Sequence, residues 1–372
     1  MSRNSRRTRI LFVIHSLGYG GAERVLTDLV KNLDSRAYEI AVCTFYDPPG
    51  FRTEIEEANI EVHFLEKKRR LDVALVVRLA RLMRKLKPDV VSMHCRDAFN
   101  IGTPASMLAR IPTRIATEHS VGSGRSQFLN RLAFTFFSRR WNATIAVSQF
   151  LKDFMVQTWG IPTSRIRVIY NGIDLGRVDY VGDRNELRRV LGLSSQALIV
   201  GNVGTLKIEK GHGAFLEAAS RIASKNEAVH FVMIGDGPLM NDLADQARQL
   251  GISSRTHFMG ARTDAVRLAA GFDVFLSTSN VETFGLAAVE AMLLGVPIVG
   301  FDVGSMREIV TDKENGFLVS PRDTSGAAER VLSLLEDAYL RESMGKRARV
   351  SAESRFSLPV MIDHYSQLLS AR

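Results

Sequence analysis

Residues 282–300 read ETFGLAAVEAMLLGVPIVG, and the fold is decided there. The stretch carries two carboxylates eight positions apart, Glu282 and Glu290, and a break at Gly285. An apolar helical run follows, then a Gly-Val-Pro turn into a short β-branched strand. Just before it, Phe275-Leu276-Ser277-Thr278 reads as the end of a strand. The unit is therefore strand, polar loop, helix, turn, strand, the repeat of an α/β sheet with crossover helices.

Open α/β sheets bind ligands at the carboxyl ends of their strands, and Glu282 falls in such a loop. Gly285 lets backbone approach a ligand closely. The amides of Phe284, Gly285 and Leu286 lie at the helix start, at the positive end of its dipole, which suits a phosphate. Glu290, about one turn further in, turns back towards the same place. A carboxylate only accepts hydrogen bonds, so two beside a phosphate site point to a polyhydroxylated ligand such as a sugar and a ribose. The same residues also read as an ordinary helix with one Glu favouring its dipole and one Glu at the surface.

Outward from this unit, 372 residues are too many for one ordinary core, so two domains are expected. Apolar content of 45% and charged content of 24% are those of a soluble globular protein. The two cysteines, Cys43 and Cys95, sit in apolar strand-like runs and read as reduced core residues of a cytoplasmic protein. No run of about 18 uncharged apolar residues occurs, so nothing spans a membrane. The basic start, residues 1–9, leads into a strand and not into a signal-peptide apolar region.

Charge is uneven along the chain. Residues 1–170 carry 27 Lys and Arg against 15 Asp and Glu, and the remainder 22 against 25. A basic first half fits an anionic partner, whether a membrane surface, a lipid-linked phosphate or nucleic acid, and also fits plain solubility. Nucleic acid is disfavoured, because the basic excess lacks interleaved aromatics and a reading helix.

Strand and helix signals alternate from the start. Residues 9–15 (RILFVIH) form a strand, Ser16 to Gly21 a glycine-rich loop, and 22–33 an amphipathic helix. The loop lacks GxGxxG spacing, so a nicotinamide enzyme is weakly supported; Gly20 and Gly21 allow amides to face a ligand. Further strands are expected at 38–46, 60–65, 89–94, 113–118, 144–147 and 165–170, with helices at 71–86 and 101–110. The 71–86 helix bears Arg78, Arg81, Arg84 and Lys85, with Arg69 and Arg70 just before it. It reads as a crossover helix with its apolar stripe on the sheet, or as an interfacial helix on anionic lipid. Residues 128–137 are a second apolar run with Arg131, Arg139 and Arg140 nearby, core by default. His119 ends the 113–118 strand, at the carboxyl edge, before a ligand-facing loop at 121–125. Ser148 is placed to cap the next helix.

The composition loosens through Gly182, and the pattern restarts. Strands are expected at 197–203, 229–235 and 257–259, a helix at 214–223, and helices from Asp323 onward. A break at 356–359 leaves a last helix free to return to the first domain. Lys210, in the loop after the 197–203 strand, is a point charge for a diphosphate, although no GxxxxGK[ST] is present. No Asp-x-Asp and no compact His/Cys/carboxylate cluster occurs, so no metal is required.

Taken together, Gly20-Gly21-Ala22-Glu23, Tyr170-Asn171-Gly172-Ile173-Asp174, Glu209-Lys210-Gly211, Gly235-Asp236-Gly237-Pro238 and the Glu282-x7-Glu290 unit resemble glycosyltransferase family 4. The resemblance runs through nearly the whole chain in order. It implies a GT-B fold: two Rossmann-like, doubly wound domains facing each other across a cleft. Residues 1–170 with 357–372 would bind the acceptor, and 171–356 the nucleotide sugar. It implies retaining transfer of a hexose-type sugar, without a cofactor or metal, from a UDP- or GDP-sugar to a hydroxyl of a lipid-linked or surface-polysaccharide glycan. The enzyme would be cytoplasmic or peripheral on the inner membrane face.

The implied roles are specific. Glu282 holds the donor sugar's hydroxyls, the amides of Thr283, Phe284, Gly285 and Leu286 meet sugar and phosphate, and Glu290 meets the ribose. Lys210 neutralises the departing diphosphate, Gly20 and Gly21 face the phosphate, and His119 lies near the reacting sugar. Gly235, Asp236, Gly237 and Arg262 lie around the base. One departure stands out: the family carries Arg five residues before the lysine, and here it is Thr205, with Lys207 nearby. A sugar-nucleotide epimerase or hydrolase, or a non-catalytic nucleotide-sugar-binding protein, remains an alternative.

Overall fold

The computed structural model describes residues 6–69, 72–121, 134–179 and 184–370. The 121–125 loop beyond Val121, the 128–137 run before Phe134, Arg70 and Gly182 lie outside the described residues. The chain forms two compact units, Met1–Gly172 with Leu358–Arg372, and Ile173–Ser357.

The first unit holds a seven-stranded sheet in the order β3-β2-β1-β4-β5-β6-β7, every pair parallel. Its strands are β1 (Thr8–Ile14), β2 (Tyr38–Thr44), β3 (Glu61–Phe64), β4 (Val90–His94), β5 (Thr113–Glu118), β6 (Ala143–Ala146) and β7 (Ile166–Val168). Ile10 through Ile14 are all buried, as an unbroken apolar run covered on both faces must be. The second unit holds a six-stranded parallel sheet, β10-β9-β8-β11-β12-β13. These are β8 (Leu198–Val203), β9 (Val229–Ile234), β10 (Thr256–Phe258), β11 (Val274–Ser277), β12 (Ile298–Phe301) and β13 (Gly316–Val319). Val200, Phe231, Leu276 and Val299 from its strands pack with Phe215 and Val331 from its helices.

Each sheet is doubly wound, and its strand order reverses at one place. That place is between β1 and β4 in the first unit and between β8 and β11 in the second. Such switch points open a crevice at the carboxyl edge.

Three local expectations change. The helix expected from 101 starts at Arg96 and runs to Leu108 with Pro104 inside it. Cys95 is not a strand residue: it follows β4 as that helix's N-cap, with φ +67°. β13 has no counterpart in the sequence reading, because GFLV is too short to show a period. Ser148 does cap its helix, accepting from the Leu151 amide at 3.1 Å.

The final helix, Leu358–Ser370, belongs to the first unit. Tyr365 Oη and Thr117 Oγ1 lie 3.3 Å apart, and the Gly172 amide is 3.1 Å from Met361 Sδ. Among the described residues no helix is long and apolar enough to cross a membrane.

Candidate functional site

At the switch point of the second sheet, the loops after β8 and β11 are stitched together. Asn280 donates its amide to Glu209 O (2.8 Å) and its side chain to Ile208 O (2.7 Å), and Thr278 Oγ1 donates to Gly211 O (3.0 Å). Gly211 has φ +61°, and a Cβ there would stand 2.0 Å from Thr278 O. Only glycine fits both constraints. Below the loops, Asn202 of β8 donates to Leu276 O of β11 at 2.8 Å. His212 meets Asn202 Oδ1 at 3.2 Å, and burial holds its pKa down to about 4, so the neutral ring donates through Nε2.

This framework puts Lys210 on Glu282. Lys210 Nζ donates to Glu282 Oε1 at 2.7 Å, and Ser279 Oγ donates to the same oxygen at 2.7 Å. The Glu282 side chain is 9% exposed and that of Lys210 33%. The Glu282 carbonyl accepts from the Ser305 amide at 3.0 Å, and Gly304, at φ +55°, lets that segment approach. A carboxylate that wants donors and an ammonium that wants an anion therefore occupy each other at the crevice. A ligand carrying both hydroxyls and phosphate satisfies both.

Gly285 caps the next helix, Leu286–Leu293, with φ +82°, so the amides of Gly285 and Leu286 stand at its N-terminal turn. Thr283 and Phe284 lie between this turn and Glu282. Glu290 is half-buried one turn on and pairs with Arg177 at 3.3 Å. Thr205 and Lys207 are both exposed on the β8 loop.

The glycines after β9 are required by backbone packing. A Cβ on Gly235 would stand 1.9 Å from Gly204 O, and one on Gly237 would stand 2.5 Å from Leu206 O. They let the β9 loop lie on the β8 loop. Gly235 donates to Gly260 O (2.8 Å), and Asp236 Oδ1 accepts from the Gly237 amide (2.7 Å). Arg262 is bound twice to Asp264, at 2.7 and 2.8 Å.

In the first unit, Gly20 caps the helix Gly21–Asn32 in an extended conformation. A Cβ on Gly20 would crowd Glu23 Oε2 at 2.3 Å, and Glu23 in turn lies 3.3 Å from His15 Nε2. His119 directly follows β5. Its Nε2 lies 3.1 Å from Nδ1 of His94, the last residue of β4. Glu118 Oε1 accepts from the His119 amide (3.0 Å) and the Ser120 amide (3.1 Å). Burial raises the Glu118 pKa to about 7, against the opposing pull of Arg96 and these hydrogen bonds.

Lys210, Glu282, Gly285 and Glu290 thus lie along one crevice of the second unit, while Gly20, Gly21 and His119 belong to the first. Sequence reasoning missed Ser279, Arg177 and His94. His94 ends β4 as His119 ends β5, so the rule that singled out one applied to the other. Among the described residues no group of three or more His, Cys, Asp and Glu has the spacing of a metal site.

The model described as Glycosyltransferase Family 4 matches residues 19–177, and that described as Glycosyl transferases group 1 matches residues 183–351. N-acetyl-alpha-D-glucosaminyl L-malate synthase of Bacillus anthracis is 28% identical, over 94% of this chain and 93% of that protein. The UDP-Gal:alpha-D-GlcNAc-diphosphoundecaprenol alpha-1,3-galactosyltransferase of Escherichia coli is 26% identical, over 80% of this chain and 79% of its own. Anabaena Alr3699/HepE, solved with UDP-glucose, is similar with a TM-score of 0.88 and 28% identity, covering 98% of this chain and 100% of that one.

Proposed function

The chain belongs to glycosyltransferase family 4 and has the GT-B arrangement of two Rossmann-like units; from that premise we propose that it moves a hexose from UDP-hexose to a hydroxyl of a lipid-linked or surface-polysaccharide glycan, with retention. The observation that carries this reading is the Lys210–Glu282 pair at the β8/β11 switch point, beside the helix N-terminus at Gly285.

Donor binding splits the pair. Sugar hydroxyls replace Lys210 on Glu282, and the diphosphate takes Lys210 together with the amides around Gly285. The bond from the anomeric carbon to the phosphate oxygen breaks, and its electrons go to the diphosphate. Lys210 and the helix amides hold that charge. The acceptor oxygen attacks from the same face, and its proton passes to the departing phosphate oxygen. Glu290 takes the ribose hydroxyls, and the segment around Gly235, Gly237 and Arg262 borders the base. His119 lies beside the reacting sugar. Because Lys210 and amides carry the charge, no metal enters the reaction, and transfer is expected to persist in excess chelator.

The uridine reading is supported by HepE, which binds UDP and UDP-glucose. The lipid-linked acceptor is supported by the E. coli relative, which acts on a diphosphoundecaprenol sugar. The first unit supplies the acceptor side and touches the inner membrane face from the cytoplasm. In support, the exposed edge of the helix Val73–Leu86 carries Val73, Ala74 and Val77, then Arg81, Arg84 and Lys85, with no carboxylate. A second reading, a small carboxylate acceptor, is favoured by the N-acetyl-alpha-D-glucosaminyl L-malate synthase of B. anthracis, which matches nearly end to end.

A thermal-shift panel of nucleoside diphosphates and their sugars tests the donor. Ligand at 100 times its Kd adds about 2.7 kcal/mol. Stabilisation by UDP and UDP-hexoses is expected; stabilisation by GDP alone would replace the base. No response to any of them would favour a non-catalytic relative. Product analysis separates transfer from epimerisation or hydrolysis, and the anomeric configuration of the product tests retention.

A further inference from the structure

A line of hydrogen bonds runs from Ser92 through His94 to His119. His94 is fully buried at the end of β4, and its backbone is in register with Thr117 of β5. Its Nε2 lies 3.1 Å from Ser92 Oγ, and its Nδ1 lies 3.1 Å from His119 Nε2. The two imidazoles stack with centroids 5.4 Å apart and planes at 29°, and the Phe12 ring lies 5.8 Å from His94.

Burial keeps both rings neutral. It pushes the His94 pKa well below the usual histidine range and the His119 pKa down to about 4. A neutral imidazole has one N–H and one bare nitrogen. Across 3.1 Å one nitrogen must donate and the other accept. If the Ser92 hydroxyl donates to His94, then His94 Nδ1–H donates to His119 Nε2, and His119 carries its proton on Nδ1. If Ser92 accepts, each step reverses, and His119 carries its proton on Nε2. Any other combination sets two lone pairs or two N–H groups face to face against the fully buried His94 ring, where the mismatch is costly. The His119 tautomer is therefore tied to that of His94. The backbone of His119 is held separately, by Glu118.

We propose that His94 is the positioning residue for His119, fixing the ring orientation and the tautomer that His119 presents to the reacting sugar. The proposal rests on the reading of His119 as a sugar neighbour, and the test separates the two.

The experiment uses the full chain labelled with 15N-histidine, together with His94→Leu, His94→Asn and Ser92→Ala. Asn keeps an amide near the place of Nδ1 and can meet His119 Nε2; Leu fills the volume without a partner. Wild type is expected to show His119 in one tautomer. His94→Leu should show both tautomers, and kcat should fall about 10-fold, the scale of one lost hydrogen bond, with donor KM nearly unchanged. His94→Asn should restore a single tautomer and most of kcat. Ser92→Ala keeps the His94 packing and the His94–His119 hydrogen bond, so the two rings should still occupy only the paired tautomers, which provides the readout if His94→Leu does not fold. A single, unchanged His119 tautomer in His94→Leu, or unpaired tautomers of the two rings in Ser92→Ala, overturns the proposal. A changed tautomer with unchanged kcat supports the relay and removes His119 from the sugar site.

Discussion

Replacing Lys210 by Met should reduce stability and activity together, and a second substitution should separate them. Lys210 and Ser279 donate to Glu282 Oε1, each at 2.7 Å, and the carboxylate is 9% exposed. Removing the ammonium leaves a largely buried charge with a hydroxyl in support. Such a loss costs about 2 kcal/mol, discounted because Lys210 itself is one-third exposed. For a unit of this size that is a fall in Tm of about 4–8 °C. Transfer should fall about 10²–10³-fold, the scale of losing one donor at developing charge. Lys210→Met/Glu282→Gln no longer strands a charge, so calorimetry should show most of the Tm recovered while transfer stays low. Near-wild-type transfer by Lys210→Met would refute the electrostatic role. An unchanged Tm would refute the compensation between the two side chains. Recovery of transfer in the double variant would make Lys210 structural only.

Other outcomes follow from the same geometry. Glu118 has a folded pKa of about 7 against an ordinary 4.5, so the folded chain holds more protons between those values and this group's contribution to stability falls as pH rises through that window. His119 and His212, held near 4, act in the opposite sense below 6.5. The difference between Glu118→Gln and wild type isolates the carboxylate: the variant should gain up to about 3 kcal/mol relative to wild type from pH 4.5 to 7, and a flat difference in denaturant melts would sink the assignment. Gly211→Ala should cost more than about 2 kcal/mol, because strain at φ +61° adds to the clash with Thr278 O. Gly160→Ala, at φ +67° with nothing within 4 Å, should cost only about 1 kcal/mol; equal losses would show that the clash is relieved. Thr205→Arg should tighten UDP binding about 10-fold by calorimetry, the scale of one charge-assisted hydrogen bond, and an unchanged Kd would place that residue away from the phosphate.

Much of the architecture is legible in the sequence because its signals are local. The run ending at His15 and the alternation around residues 282–300 report strands buried on both faces and the helices that cover them. A carboxylate and a lysine in two loops after two strands are readable as candidates. Their pairing depends on β8 lying beside β11, which is not local. The same holds for Arg177 and Glu290, far apart in sequence and 3.3 Å apart in space. His94 is within reach of the strand-end rule that singles out His119, but its contacts with Ser92 and His119 depend on β4 lying beside β5, which is again not local. Gly235 and Gly237 show the limit most clearly. In sequence they read as part of a loop around the base, and nothing local shows that their side-chain positions are filled by the carbonyls of Gly204 and Leu206.

The last helix has a consequence for synthesis. The segment Ile173–Ser357 is inserted within the first unit, and the helix that completes that unit is Leu358–Ser370, with Tyr365 meeting Thr117. As the chain leaves the ribosome, the unit that begins first is therefore finished last. The inserted unit has its whole sequence available earlier, while the opening sheet waits for the final residues. A stop codon that removes only Leu358 onward thus strikes the fold of the opening residues, hundreds of positions upstream, and leaves the sequence of the inserted unit intact.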